Sequence, residues 1–399
     1  MIENQYTLAP EMGSALRKYQ GWALIAGVIG LVGCVAGIFL DHGLDHFFRS
    51  WLVGYVLWWG IALGSLALLM LQYTTGGAWG VVIRRTLESS TRTLPLMALL
   101  FVPLLFGMHS LFEWSRPEAA HDQIVQLKSN YLNVPFFLVR QVVYFAIWIG
   151  MELALNRWSL QQDSSRDIGI TKRIEKLSAP GILIYVVTLT FAATDWIMSL
   201  DPHWFSTILG FIMLSGQGLS TFSLVIAFII LLSHAEPMKS FVTKRHLHDL
   251  GKLLFAFTML WAYLNFSQLV IIWAGNLPEE ITWYVTRMNH GWGTVGAILL
   301  VFHFVLPFLM LLSQRLKTNP RQLTFVAIWI ICARLLDTFF LIEPNFNRDQ
   351  FRINFLDLAA PLAIGGLWMA MFLFQLRQRP ILPVNDPLLQ KALTHGRHH

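Results

Sequence analysis

The sequence is poor in charged residues. Only 13% of its 399 residues are Asp, Glu, Lys or Arg, whereas 55% are hydrophobic. A typical soluble domain carries about 25% charged residues and does not have to bury so much apolar surface. This composition excludes a soluble protein and indicates a polytopic membrane protein. The longest connections between apolar stretches, 113–133 and 155–178, are too short to form a catalytic domain.

Cysteine is also scarce. Cys34 and Cys332 both lie in apolar stretches, where packing is their expected role. The sequence has no CxxCH run for covalent haem and no cysteine quartet for an iron–sulfur cluster. The glycine-rich stretch "TTGGAWGVVIRR" (74–85) lacks the GK[ST] ending of a phosphate-binding loop and is expected to form a cytoplasmic turn. We therefore expect no covalently bound cofactor, no metal site and no nucleic-acid or nucleotide binding in this chain.

Ten apolar stretches are long enough to span a membrane as helices. The sequence therefore predicts an all-α polytopic fold. The stretches lie at 19–40, 50–72, 93–112, 134–154, 179–200, 204–233, 250–274, 292–314, 322–342 and 357–376.

A short motif repeats in the fifth and ninth predicted helices. "DWIMSLDP" (195–202) and "DTFFLIEP" (337–344) both read Asp, five residues, an acid and Pro. The two helices are four spans apart and run in the same direction, as a duplicated four-helix unit requires. Within a single membrane domain, 1–399, we expect a first helix and loop, two four-helix bundles (helices two to five and six to nine), and a last helix with an exposed tail. These parts cover 19–48, 49–203, 204–345 and 346–399.

The positions of Lys and Arg predict the orientation. Of the 29 Lys and Arg residues, 21 fall in the termini and the loops of one side, including a loop at 75–92, and six fall on the other side. Because cytoplasmic loops are rich in Lys and Arg, both termini are expected in the cytoplasm. The formal net charge of +6 then indicates contact of these loops with anionic lipid.

Polar residues inside the predicted spans gather towards the outer, non-cytoplasmic side. Ionisable groups at such depth usually mark a pathway or a binding site. Asp195, Asp337 and His303 are candidates for proton transfer, and the two aspartates are expected to be equivalent in the two bundles. The candidates for a quinone pocket or a proton path are His109, Arg140, Asn265, Gln268 and Arg334.

Each of these residues also has a structural interpretation. Arg334 and Asp337 are spaced to neutralise each other on one helix face. Arg140 is able to lock helices by pairing with a carboxylate, and Asn265 with Gln268 to join helices by hydrogen bonds. Glu343, near a helix end, is equally compatible with a solvated cap. The sequence leaves a quinol pocket and a proton route open as alternatives.

Four stretches carry a resemblance to a known family. They are "GGAWGVVIRRTLE" (76–88), "DWIMSLDPHWFST" (195–207), "GKLLFAFTMLWAYLNFSQLVIIWAGNLPEEITWY" (251–284) and "HFVLPF" (303–308). In these and throughout the span region, the chain resembles the second quinone-binding-type membrane subunit of alternative complex III, a bacterial quinol:cytochrome c or quinol:oxidase oxidoreductase. That family belongs to the NrfD-like group, which includes the membrane subunit of polysulfide reductase.

The resemblance implies a fold, a location and partners. It implies ten spans with two four-helix bundles in the bacterial inner membrane, and a noncovalent quinone or menaquinone ligand. Haem and iron–sulfur clusters would reside only in partner subunits. The implied partners are a homologous membrane subunit, a periplasmic iron–sulfur subunit, c-type cytochrome subunits, a terminal oxidase and lipid.

Two other functions remain open from the sequence. One is an ion or solute transporter that works without partners, and the other is a scaffold subunit with a vestigial quinone site. If the chain belongs to a complex, its outer loops at 201–204, 276–291 and 343–356 are expected to dock partners through Trp204, Trp283, Tyr284 and Trp292.

Overall fold

The structure, a computed structural model, describes residues 6–165 and 167–394. Within these ranges it is helical and contains no β-strand. Ten helices are long and apolar enough to cross a membrane, which confirms the predicted all-α polytopic fold. Helices 1 to 10 are Pro10–Leu40, Gly43–Thr75, Ala78–Phe106, Val134–Ser164, Ile168–Leu200, Leu209–Leu232, Lys244–Gly275, Trp292–Leu312, Pro320–Asn345 and Leu356–Leu376.

Short helices form part of the connections. On the side where helices 3, 7 and 9 end, they are Met108–Leu111, Glu113–Ser115, Pro117–His121, Gln123–Leu127 and Pro278–Met288. On the opposite side they are Met238–Phe241, Gln314–Thr318 and Leu389–Thr394. Trp204 is buried and stacks on Trp283 with ring centroids 4.8 Å apart, and Trp292 is fully buried. Both indoles pack within the chain and offer no surface to partners, while docking of partners at these loops stays a prediction.

Helix 3 begins earlier than the sequence predicts. The sequence predicts a cytoplasmic loop at 75–92, but the chain is helical from Ala78 to Thr91, and Gly76 and Gly77, with positive φ values of 68° and 105°, form the short connection from helix 2. The helix starts at Ala78, and Arg84 and Arg85 are buried. Hydropathy does not predict this part of the helix, because two adjacent arginines lower the local mean hydropathy. Both arginines are nevertheless buried, with their charges paired inside the fold.

The carboxyl-terminal segment is packed rather than exposed. Ile381 and Leu382 are buried, and Asp386 pairs with the buried guanidinium of Arg84. The backbone N–H of Val384 donates to the Asp163 carboxylate over 3.2 Å. The prediction of an exposed tail, which included residues 378–387, is wrong, because this segment pairs with charged side chains of helices 3 and 4. The last five residues, 395–399, lie outside the described ranges.

The helices pack as two four-helix bundles joined at their centre. In the first bundle, helix 2 contacts helices 3 and 5, and helix 4 contacts the same two helices. Helices 6 to 9 repeat this pattern, with helix 6 against helices 7 and 9 and helix 8 against the same pair. Helices 2 and 6 pack against each other and are the most deeply buried spans. This arrangement gives each bundle its own interior.

Helices 1 and 10 form a flanking pair. A Cβ built on Gly30 would lie 2.4 Å from the backbone nitrogen of Ala363, and one built on Gly366 would lie 2.2 Å from the backbone nitrogen of Gly27. Only small residues permit such close contact between helices. Helix 10 also packs on helix 2, so it attaches helix 1 to the bundles.

Candidate functional site

The first bundle holds a fully bonded carboxylate, Asp195, on helix 5. Arg140 of helix 4 binds it with two parallel hydrogen bonds of 2.9 Å each. Tyr144 donates to it over 2.9 Å and Gln141 over 3.2 Å. All three side chains reach the same carboxylate because positions i, i+1 and i+4 of a helix point in neighbouring directions. The Asp195 side chain is fully buried, and its charge is paired and hydrogen-bonded.

Aromatic rings fill the interior beside Asp195. The Trp196 ring lies 4.5 Å from that of Trp59 and 4.9 Å from that of Phe101, measured between centroids. Trp196 also donates its indole N–H to Gln141 over 2.7 Å. Rings in contact at these distances leave little space between them. The geometry around Asp195 is that of a packed helix junction.

A cavity of about 320 Å³ lies at the end of the first bundle where helix 5 ends. Tyr131, Thr194 and Ser199 line it, and the Lys128 ammonium beside them donates to the carbonyl of Pro202 over 2.6 Å. Burial lowers the pKa of Lys128. The cavity has the volume of a small-ligand pocket, but it lies outside the aromatic packing around Asp195.

The second bundle holds a different arrangement around Asp337 on helix 9. Arg334, one turn earlier on the same helix, is in direct contact with the carboxylate. Trp261 of helix 7 donates its indole N–H to the same carboxylate over 3.2 Å. Within the described ranges, the Nε of Arg334 has no hydrogen-bond partner although it is buried. This ion pair is therefore less completely bonded than the one in the first bundle.

His303 of helix 8 lies against the same tryptophan. Its ring meets Trp261 edge to face, with centroids 4.1 Å apart. The imidazole is fully buried, and neither ring nitrogen finds a hydrogen-bond partner in the part of the chain that the structure describes. His303 sits in a π-helical turn, Leu300–Val305. Such turns interrupt the regular helix and are frequent at functional sites.

Two amides of helix 7 lie beyond this cluster, towards the carboxyl-terminal end of that helix. Gln268 is buried and accepts a hydrogen bond of 2.8 Å from Ser206, which precedes helix 6. Asn265 is half-buried and donates to the carbonyl of Trp261 on its own helix over 2.8 Å. Gln268 therefore joins helix 7 to the loop before helix 6, whereas the bond from Asn265 stays within helix 7.

The structure brings some predicted site residues together and separates others. Trp261 connects Asp337 and His303, and Arg334 contacts Asp337 directly. Arg140 and Asp195 form a separate pair in the other bundle. His109 is exposed beyond the end of helix 3, where Ser115 lies 3.3 Å from its Nδ1. The equivalent positions of the two aspartates in the repeat thus have different partners: one binds an arginine from another helix, the other an arginine from its own.

Two buried polar clusters are not predicted from the sequence. In the first, Arg85 contacts Glu88, with 2.6 Å between Nη1 and Oε2, and also Asp163. In the second, Glu343 is fully buried near Asp357, so its expected role as a solvated cap is wrong. The i, i+3 spacing of Arg85 and Glu88 was a usable signal, but it lay in a stretch read as a loop. Nothing in the sequence around Glu343 indicated its burial.

No protein-family model matches this sequence, and no curated protein matches it.

Proposed function

We propose that the chain is a membrane subunit of a bacterial quinol-oxidising respiratory complex, and that its second bundle carries the polar site. The resemblance of its span region to alternative complex III supports the first part. The second part depends on one observation: His303 is fully buried with two unbonded ring nitrogens, as described above. The ten apolar helices are consistent with an integral membrane subunit.

A buried imidazole of this kind favours a hydrogen-bonding guest. An unbonded polar group in an apolar interior costs about 1–3 kcal/mol, so most buried polar groups in proteins bond to protein, ligand or ordered water. A quinol headgroup and a water molecule can each both donate and accept. Trp261 supplies an aromatic wall beside the imidazole and holds the carboxylate of Asp337. These residues fit either guest.

The role proposed for this chain's own side chains is proton transfer. Quinol oxidation releases two electrons and two protons, and on this proposal the electrons leave through partner subunits. His303 accepts a proton at an unbonded ring nitrogen. Asp337, which contacts Arg334 and accepts a hydrogen bond from Trp261, is the next carboxylate on the same side of the bundle, and it has fewer bonds to lose on protonation than Asp195. Proton transfer by positioned side chains is general acid–base catalysis.

The first bundle has a structural role on this proposal. Each oxygen of Asp195 already accepts at least one charge-assisted bond from Arg140, and Tyr144 and Gln141 add two more. Protonating such a carboxylate would break bonds that have no replacement in the interior. We therefore assign the Arg140–Asp195 pair to locking helices 4 and 5 together.

Replacing His303 with phenylalanine tests the assignment. The ring is similar in size and has no polar atoms, so relief of two unbonded nitrogens should leave stability unchanged or higher. Quinol oxidation by the complex purified through this chain should fall by about 10²-fold or more, as expected for loss of a general base. The matched control is His109→Phe, an exposed histidine, which should retain normal turnover.

Two further measurements distinguish the possible guests. A residue that contacts quinol should change both KM and kcat when it is replaced, whereas a residue on a proton route should lower kcat and proton release at constant KM. Normal turnover and proton release in a fully assembled His303→Phe complex would disprove the site assignment. Purification of the chain without haem or iron, together with ion transport by the isolated chain in vesicles, would favour the transporter alternative.

A further inference from the structure

A large groove lies where the first residues of helix 1 meet the end of helix 10. Its volume is about 840 Å³, and its walls come from the segments 7–18 and 377–380. The backbone N–H of Ile381 donates to the carbonyl of Tyr6 over 3.0 Å, which ties the two walls together. The packed carboxyl-terminal segment thus builds one side of the groove.

The lining of the groove is strongly basic. Arg17, Lys18, Arg377 and Arg379 all contribute to it, and no Asp or Glu is among the described residues that line it. Arg379 is balanced by Glu88, with 3.5 Å between Nη1 and Oε2. Arg17 and Lys18 form no ion pair within the part of the chain that the structure describes. Like charges gathered in one groove repel each other, and an anion between them relieves that repulsion.

Arg377 shows that the cations influence one another. Burial, and then the positive charge of Arg17, lower the pKa of the Arg377 guanidinium. The only side chain that accepts a hydrogen bond from Arg377 in the described ranges is the neutral amide of Gln20. The groove therefore concentrates positive charge that the described residues do not neutralise.

An apolar surface continues directly from the groove along helix 1. Trp22, Ile25 and Ile29 are each about 60% exposed and follow one another at helical spacing on its outer face. The Lys18 ammonium lies 5.0 Å from the ring centroid of Trp22, where the basic and apolar surfaces meet. Tryptophan and lysine are typical of the level at which lipid headgroups meet the acyl chains.

We propose that this groove binds an anionic phospholipid, with its phosphate between the guanidinium groups of Arg17 and Arg377 and its acyl chains along helix 1. A soluble anion would use the cations but not the adjoining apolar face. Basic pockets between membrane helices are suited to acidic headgroups such as that of cardiolipin. The bound lipid would neutralise the groove and cover the joint between helix 1, helix 10 and the carboxyl-terminal segment.

The test uses the full-length chain in a neutral detergent. Thermal unfolding is followed as cardiolipin, phosphatidylcholine or inorganic phosphate is added to the wild type, to Arg17→Gln/Arg377→Gln, and to a control. The control, Lys172→Gln/Arg173→Gln, removes two exposed cations from the beginning of helix 5, on the same side of the membrane. A third variant, Arg17→Lys/Arg377→Lys, retains both charges.

Cardiolipin should raise the unfolding temperature of the wild type, the control and the lysine variant, whereas phosphatidylcholine and phosphate should not. Removing one cation near the headgroup level should weaken lipid binding by roughly fivefold. The glutamine variant lacks two cations and should need about 30-fold more cardiolipin for the same shift in unfolding temperature. Equal cardiolipin dependence of the wild type and the glutamine variant would overturn the proposal. So would an equal shift with phosphate, which would indicate a soluble anion, or with phosphatidylcholine, which would indicate general solvation by lipid.

Discussion

Gly216 on helix 6 tests whether the position of Arg334 matters. A Cβ built on this glycine would lie 2.4 Å from Nη2 of Arg334 and 2.5 Å from its Cζ. Ordinary contact begins at 3.4 Å, so in Gly216→Ala the guanidinium must retreat by about 1 Å. The atoms that clash are the far end of a flexible side chain, which yields more readily than backbone. The substitution thus moves a charge relative to Asp337 without removing any chemical group from the site.

The expected effect on turnover is larger than the effect on stability. Overpacking costs about 1–3 kcal/mol, and replacing a helical glycine by alanine returns about 1 kcal/mol, so the net loss is about 0–2 kcal/mol. Misplacing a functional group by about 1 Å can cost about 10²-fold in rate. We expect quinol oxidation and proton release by the assembled Gly216→Ala complex to fall by about 10–100-fold.

The matched control is Gly150→Ala on helix 4, where an added Cβ meets no atom within 4 Å. This variant should keep full turnover and unfold at the same temperature as the wild type or slightly higher. Turnover, proton release and thermal unfolding are measured on all three complexes. If Gly216→Ala has wild-type rates while its unfolding temperature falls, Arg334 has a packing role only and the reasoning is refuted.

Three further predictions concern charges elsewhere in the chain. Asp195→Asn should lower the free energy of unfolding by about 3–5 kcal/mol, because it leaves Arg140 unpaired, and the complex that still assembles should have normal turnover. Asp337→Asn should lower turnover more than stability. A loss of turnover in Asp195→Asn together with normal turnover in Asp337→Asn would contradict the assignment. Removal of residues 378–394 should destabilise the protein by several kcal/mol in thermal unfolding, because Arg84 loses its carboxylate. Asp249→Asn, at a partly exposed ion pair, should change stability by less than about 1 kcal/mol. A reporter fused to the carboxyl terminus should be active in the cytoplasm, and activity only outside it would refute the orientation.

The span helices were predictable because hydropathy is a local property of the chain. A backbone in hydrocarbon must satisfy its own hydrogen bonds, so a long apolar stretch becomes a helix whatever its neighbours are. This rule located ten spans and failed partly at helix 3. There, Arg84 and Arg85 are buried by partners that lie 78 and more residues away, at Asp163 and Asp386.

The polar groups of the candidate site were also visible in the sequence, because ionisable residues are rare in apolar helices. The sequence ranked Asp195 and Asp337 as equivalent, since it showed only their shared place in a repeat. It gave no indication that Tyr144 and Gln141 complete the shell of one aspartate. It likewise contained no sign that His303 would be left without a hydrogen bond.

The sequence by itself determined the membrane class and the number of spans. The tertiary structure decided which of the polar groups meet, which carboxylate is fully bonded and where the carboxyl-terminal segment packs. The physical reason is that burial in a membrane follows from the average composition of one segment. Hydrogen bonding between side chains depends instead on the rotation and height of each helix relative to the next, and packing sets both to within an ångström.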